Sequence, residues 1–482
     1  MIRRQYILIV LFTVIFQIFF SQTNTLSLNE TNSNDLSTTT ISTTNKCEPA
    51  SIDEFPQLFF TNEQRRQGGI IVHILLILYS FAAIEIVCDD YFASALERIS
   101  YNFNLKPDVA GATFMALATS ASEFFTSIVG VFFVKSDIAL GTILGSAVFN
   151  ILFVIALCAL ISTSVCQIDG YPIVRDAGFY CIAVAVLFII IYDQRVYWYE
   201  AFALVLLYFV YVGILKFNDR FSRLMRGSST NQKTMTGISN EEHQEQLQSL
   251  NNIADATEIF DPLKLPTKRY KIFKWIIMYP VRLLMHITIP DCRKEVFHNY
   301  YMLTFVMSTI WVAGLAYLLV WLAVIVGYTL NIRDNIMGLT VLAFGSSIEE
   351  IFSAIVMTRR GHPEMAIAGS IGSNVFDILM GLGIPWLFRN LMRDMLTSMN
   401  DNGPFYVEIH SRGLVYSTVV LFSALIIFLL TFFINRCRLT KFYGVFLIIV
   451  WLSVITVMCL FELNFFGLVH FPACASKSIN TV

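Results

Sequence analysis

A carboxylate inside an apolar run, flanked by small and hydroxyl residues, is a pattern from which a dehydrated cation can be held. The chain carries it twice. Residues 111–152 contain GATFMALATSASEFFTS and then GTILGSAVFNIL, and residues 338–379 contain GLTVLAFGSSIEEIFSA and then AGSIGSNVFDIL. Fifteen of the 42 aligned positions are identical, and the register holds without a gap, so Glu123 falls on Glu350 and Asn150 on Asp377. Calcium takes roughly six to eight oxygens from carboxylates, carbonyls and hydroxyls. Glu123 and Glu350 supply charge, Thr119, Ser120, Ser346 and Ser347 supply hydroxyls, and Glu349 adds an accessory carboxylate. Thr126 and Ser353 follow the acids by three residues, on the same helical face. Asn150 and Asp377 come from the next helix of each copy. If the helices break at 118–122 and 345–349, backbone carbonyls also turn inward.

Packing is the competing explanation for part of this. Gly141, Gly145, Gly372 and Ser373 are the small residues that let membrane helices approach closely. An acid recurring at the same offset is not explained that way, because a membrane-buried charge is costly to keep.

The elements that must position these residues are membrane helices. The 482-residue chain is 56% hydrophobic, with mean hydropathy +0.64. A spanning helix needs roughly 20 mostly apolar residues. Such runs lie near 70–92, 107–134, 138–163, 173–192, 196–216, 300–328, 334–358, 364–388, 413–435 and 439–467. The expected fold is an all-α membrane protein with about ten transmembrane helices in two inverted five-helix repeats. The predicted organisation is a signal peptide (1–21), an extracellular N-terminal segment (22–66), a first repeat (67–216), a cytoplasmic loop (217–298), a second repeat (299–467) and an extracellular C-terminus (468–482).

Charge sets the sidedness. Lys216, Arg220, Arg223 and Arg226 precede the central gap, and Lys268, Arg269, Lys271 and Lys274 follow it. Positive residues next to helix ends favour the cytoplasm, so both termini are placed outside. Arg389, Arg393 and Arg412, read as an outer loop, are an exception. The segment 275–289, with Pro280 and Arg282, reads either as an interfacial helix or as a packed connector. Five helices is an odd shift, so the repeats enter the membrane from opposite sides.

Arg3 and Arg4 followed by an apolar core give the leader its signal-peptide pattern, with an uncleaved anchor as the alternative. Asn29 heads a glycosylation sequon. With both termini outside, Cys47 and Cys474 share an oxidising compartment and are disulfide candidates; two free thiols are the alternative. The other cysteines lack C-x-x-C spacing, and Cys88, Cys158, Cys181 and Cys459 read as packing residues. Asp89 and Asp90 read as a solvated helix end, with Glu85 one turn deeper. His73 and His362 read as interface and loop residues. No phosphate-binding loop is present, and a net charge of −2 gives no reason to expect a nucleic-acid partner.

These motifs closely resemble those of the potassium-dependent sodium/calcium exchangers, within the cation/calcium antiporter superfamily. The resemblance covers most of the membrane part: IVCDDYF, then PDVAGATFMA to GTILGSAVFNILFVI, TIPDCRK, IMGLTVLAFGSSIEEI and GSIGSNVFDILMGLGIPWL. It implies that Glu123 and Glu350 match the two central calcium- and sodium-binding acids, and that Asp377 and Ser353 match positions linked to potassium. It implies sodium exchanged for calcium plus potassium, with no enzyme activity and no cofactor beyond the transported ions. The plasma membrane is the expected residence, with an intracellular membrane as the alternative, and a homo-oligomer is left open. The chain departs from the family pattern at Ser122 and Glu349, where proline is usual, at Glu350, where aspartate is usual, and at Ala118-Thr119 in place of Gly-Gly. Those departures motivate alternatives: the same fold with another divalent cation or proton coupling, a cation channel, or a homologue that no longer transports.

Overall fold

The computed structural model describes residues 51–56, 60–103, 111–134, 137–162, 166–167, 170–225, 269–359, 363–396 and 406–466. The signal-peptide, Asn29, Cys47, His362 and Cys474 readings lie outside these residues. The chain is a multi-pass membrane protein. Eight helices are long and apolar enough to cross a bilayer, and two bent pairs bring the total to ten among the described residues. They are α1 (Asn62–Asn102), α2 (Thr113–Thr119 and Ala121–Phe133), α3 (Ile138–Ile161), α4 (Gly170–Ile191), α5 (Trp198–Met225), α6 (Tyr301–Leu330), α7 (Asp334–Ser346 and Ile348–Arg359), α8 (Pro363–Met392), α9 (Arg412–Ile434) and α10 (Lys441–Glu462). Hydroxyl caps start several of them. Thr61 opens α1 in a reciprocal capping box with Gln64, and Ser411 and Thr440 accept the Leu414 and Tyr443 N–H groups at the heads of α9 and α10.

Two short antiparallel ribbons fix how the halves face each other. Strand β1 (Cys166–Gln167), between α3 and α4, pairs with β4 (Arg438–Leu439), between α9 and α10. Strand β2 (Arg195–Tyr197), between α4 and α5, pairs with β3 (Tyr406–Glu408), between α8 and α9. The α3–α4 connection corresponds to the α8–α9 connection in the repeat, yet each is tied to the other half's opposite turn. Corresponding loops therefore lie at opposite ends, which is the inverted relation parity predicts. The end carrying β2 and β3 is called outer below, following the basic flanks.

The interior follows the repeat. α3 is the most enclosed span, with 83% of its apolar window buried, so it forms the centre together with α2, α7 and α8. α4 and α5 pack on α8, and α9 and α10 pack on α3, as the symmetry requires. α1 and α6, also counterparts, pack along one another, with the Phe92 and Phe305 rings stacked at 5.5 Å. α3 meets α7 at a small-residue crossing: a Cβ on Gly145 would stand 2.4 Å from the Leu339 carbonyl oxygen, so the helices could not close with alanine there. The packing reading of Gly145 is correct.

Two expectations are corrected, and the segment left open as an interfacial helix or a packed connector is described. Arg389 lies within α8 rather than a loop, and its guanidinium donates to the Val131 carbonyl near the outer end of α2. A helix C-terminus attracts a cation, which accounts for this outer positive charge. His73 is buried on α1, with Nδ1 bonded to the Gly69 carbonyl at 2.9 Å and its ring against Phe60. The segment 275–289 belongs to a helix, Arg269–Thr288, that buries Met278 and Met285 against the α1–α6 core while leaving Ile276, Ile277, Leu284 and Ile287 exposed.

Candidate ion-binding site

Both repeats break where the hydroxyl residues cluster. α2 bends by 73° at Ser120, whose φ and ψ are −102° and 18°. α7 bends by 40° at Ser347, at −81° and 7°. Neither break contains proline. The Phe81 ring of α1 lies where a side chain on Gly345 would be, with a ring carbon 1.9 Å from that Cβ position. Only glycine lets α1 press this close to the second break. A second local device was not visible in the motifs. Asn150 and Asp377 sit in π-helical turns, at Phe149–Val154 and Asp377–Leu382, and the repeats also carry matching π turns at Gly111–Met115 and Gly338–Leu342. Such turns disturb the backbone ladder and concentrate at functional sites.

Three carboxylates and one amide come from four helices. Glu123, Asn150, Glu350 and Asp377 are all buried. Ser122 Oγ donates to Glu123 Oε2 at 2.7 Å and reaches the Ser346 carbonyl at 3.3 Å, joining the two breaks. Asn150 Nδ2 donates to Glu350 Oε1 at 3.4 Å and to Asn374 Oδ1 at 3.2 Å, while Asn374 Nδ2 donates to the Ala147 carbonyl at 3.4 Å. Asn150 thus links both halves through its amide. Glu350 lies within the electrostatic reach of Glu123, Asp377 and Glu349. Ser127 Oγ donates to the Gly381 carbonyl at 2.7 Å and holds α2 against the Asp377 turn.

What stays unpaired defines the site. Ser120 Oγ, Glu123 Oε1, Asn150 Oδ1, Ser347 Oγ, Glu350 Oε2 and both Asp377 carboxylate oxygens are buried without a hydrogen-bond partner. A buried oxygen left unpaired costs on the order of 1–3 kcal/mol, more when charged. The seven, three from the first repeat and four from the second, are hard oxygens of the kind that ligate cations such as calcium.

The remaining predicted residues divide. Thr119 bonds back to the Met115 and Ala116 carbonyls, Thr126 to those of Ser122 and Glu123, and Ser346 to that of Ala343. Each hydroxyl hydrogen is thereby used locally, leaving the oxygen lone pairs. Ser353 is not brought into the cluster. After the second break α7 buries a single strip, Glu350, Ala354 and Thr358, and position 353 lies off it and is exposed. Its counterpart Thr126 is buried because α2 is enclosed nearly all round.

Glu349 is half-buried beside a separate cavity of about 100 Å³ lined by Glu85, Ser122, Gly345, Ser346 and Phe81. The Asp89 and Glu85 carboxylates act on Glu349, so α1 supplies two acids on the side of the second break. Asp89 is exposed, as the solvated reading expects, whereas Glu85 is half-buried in the cavity wall and Asp90 pairs with Arg293 at 3.4 Å. Sequence reasoning missed Asn374, whose counterpart is alanine, so it carried no repeat signal.

Residues 73–217 and 300–460 match the family described as sodium/calcium exchanger protein. The chain belongs to that family. Among its relatives, the human sodium/potassium/calcium exchanger 5 is 37% identical over 88% of this chain and 89% of its own length. A probable sodium/potassium/calcium exchanger of Drosophila melanogaster is 32% identical over 89% and 86%. Among solved structures, the H+/Ca2+ exchanger CAX matches 81% of this chain and 86% of its own at a TM-score of 0.51 and 10% identity, a likeness of fold.

Proposed function

We propose that the chain is a secondary antiporter that exchanges sodium for calcium plus potassium across a membrane. The observation that carries this reading is the set of seven unpaired buried oxygens drawn from both inverted repeats, at their breaks and at the π turns of the helices that follow. Glu123 and Glu350 neutralise calcium or successive sodium ions, with Ser120, Ser347, Asn150 and the lone pairs of Thr119 and Ser346 completing the shell. Asp377 adds the charge that a co-transported potassium ion needs. Thr126 supports the Glu123 turn, and Glu349 draws cations toward the cavity beside it.

Coupling follows from electrostatics. Carboxylates this close cannot all remain charged without cations, and a calcium ion or a group of sodium ions satisfies them in turn. A site at the interface of inverted repeats can open to either side by exchanging the conformations of its halves. The plasma membrane is the proposed residence, with the central 217–298 loop in the cytoplasm.

The test is calcium uptake into sodium-loaded vesicles, with and without external potassium. Uptake that needs both the outward sodium gradient and potassium is the expected result. Uptake without potassium would remove the role given to Asp377, and calcium currents independent of the sodium gradient would replace the antiporter with a channel.

A further inference from the structure

The two halves of the site are not equivalent. Asn150 spends its amide on Glu350 and Asn374, whereas its counterpart Asp377 has both carboxylate oxygens unpaired and is 1% exposed. On this side of the site a residue from outside the repeated motifs approaches. α4 packs against α8 and against the Asp377 turn, and it carries Tyr180 with no exposure to solvent. The Tyr180 hydroxyl has no hydrogen-bond partner, and the charge that acts most strongly on it is the Asp377 carboxylate. Ser120 Oγ also approaches Asp377 without forming a well-made hydrogen bond.

We propose that Tyr180 is a potassium-specificity residue, its hydroxyl oxygen completing the shell of the ion held at Asp377. The assignment rests on the antiporter reading above and adds to it a ligand from α4. Three facts combine. An unpaired tyrosine oxygen and an unpaired carboxylate are both buried on elements packed against each other, and burying both that way is unfavourable unless something satisfies them. A phenolic oxygen can present a lone pair to a cation while its hydrogen points to the carboxylate. A neutral phenolic oxygen on the α4 side of Asp377, in place of a further carboxylate, keeps the added charge low there, which suits a large monovalent ion better than calcium, whose sites gather several carboxylates. The neighbouring ring supports the geometry: Tyr208 of α5 also acts on Asp377 and packs on Phe376 at 5.5 Å, closing the site between α4, α5 and α8.

Tyr180→Phe removes the oxygen and keeps the ring. Calcium uptake into sodium-loaded vesicles, titrated with potassium, is expected to require about tenfold more potassium for half-saturation, the effect of losing roughly 1.4 kcal/mol of a charge-assisted contact. Half-saturating calcium and the rate at saturating potassium should stay within about twofold. An unshifted potassium titration, or equal shifts for calcium and potassium, would overturn the assignment. If the variant fails to reach the membrane, protein purified in detergent serves instead: potassium chloride raises the unfolding temperature of the wild type, and the variant should need more of it for the same rise. An equal response would again overturn the assignment. Potassium-independent uptake by the wild type would overturn both readings, whereas a potassium-dependent wild type with an unshifted variant would overturn this one alone.

Discussion

Ser122 places its hydroxyl between the Glu123 carboxylate and the Ser346 carbonyl, so one side chain of the first break touches the second. The two breaks are therefore mechanically joined at the point where the charges collect. Ser122→Ala removes both contacts without changing the backbone. Transport should fall roughly tenfold, the value of one charge-assisted hydrogen bond, with normal amounts of protein at the membrane. Wild-type uptake in this variant would show that the breaks are held by packing alone.

Glu123→Gln tests the centre of the site. The substitution keeps shape and removes a charge from a fully buried position. A divalent ion loses a principal ligand, so transport should drop at least a hundredfold while the protein still folds and matures. Appreciable sodium-driven calcium uptake by this variant would refute the site as drawn.

Asp377→Asn turns the second repeat into a copy of the first at this position. Some sodium/calcium exchange should survive, and its dependence on potassium should vanish. The measurement is uptake across a potassium series, and a retained response would mean that the potassium charge lies elsewhere.

Glu349, next to Glu350 in the chain, is half-buried and lines the cavity that Glu85 also lines. Its influence should be long-range attraction more than ligation. Glu349→Gln is expected to weaken apparent calcium affinity severalfold at low ionic strength and much less in high salt, because screening removes long-range attraction. A salt-independent loss of all activity would instead make Glu349 a ligand.

Asp137 offers a pH test away from the spans. It precedes α3, accepts the Ser411 N–H at 2.6 Å, and faces His410 and Glu462. Burial pushes its carboxyl up to about 7, further raised by Glu462 and opposed by His410 and the Ser411 and His410 N–H groups. A carboxyl that binds its proton more tightly when folded stabilises the native state fully below its unfolded pKa, which is 3.8 here. That contribution is lost as pH rises toward about 7. Asp137→Asn keeps the acceptor oxygen and cannot ionise. It should flatten the fall in unfolding temperature between roughly pH 4 and 7, and be more stable than the wild type at the alkaline end by roughly 1–3 kcal/mol. Parallel pH curves for the two proteins would exclude this role.

Much of the site was legible because inversion writes it twice. Glu123 with Glu350, and Asn150 with Asp377, share an offset, and the hydroxyl clusters mark the breaks. Period-based reasoning failed where one copy is packed differently: Ser353 inherits the register of Thr126 but not its surroundings, since only one strip of α7 below the break is buried. Residues that serve one half alone, such as Asn374, leave no echo to detect. The π turns at Asn150 and Asp377 were also hidden, because a widened turn is set by tertiary packing and not by composition. The spans themselves were readable from hydropathy to within a few residues at most ends. Arg389 was misread because a cation that serves a neighbouring helix terminus looks, in one dimension, like a loop charge.

The ribbons β1–β4 and β2–β3 bear on how the protein is made. Each needs one strand from either half, so neither can form while the second half is still being synthesised. Until α8 and α9 have inserted, the turns after α3 and α4 hold unpaired strand edges at opposite faces of the membrane. The first repeat must therefore wait, inserted but unlatched, and release from the insertion machinery completes the architecture only when the last two helices bring the closing strands. The site draws its last residue, Asp377, from α8, so the nascent chain carries no finished ion site before that helix of the second half has been made.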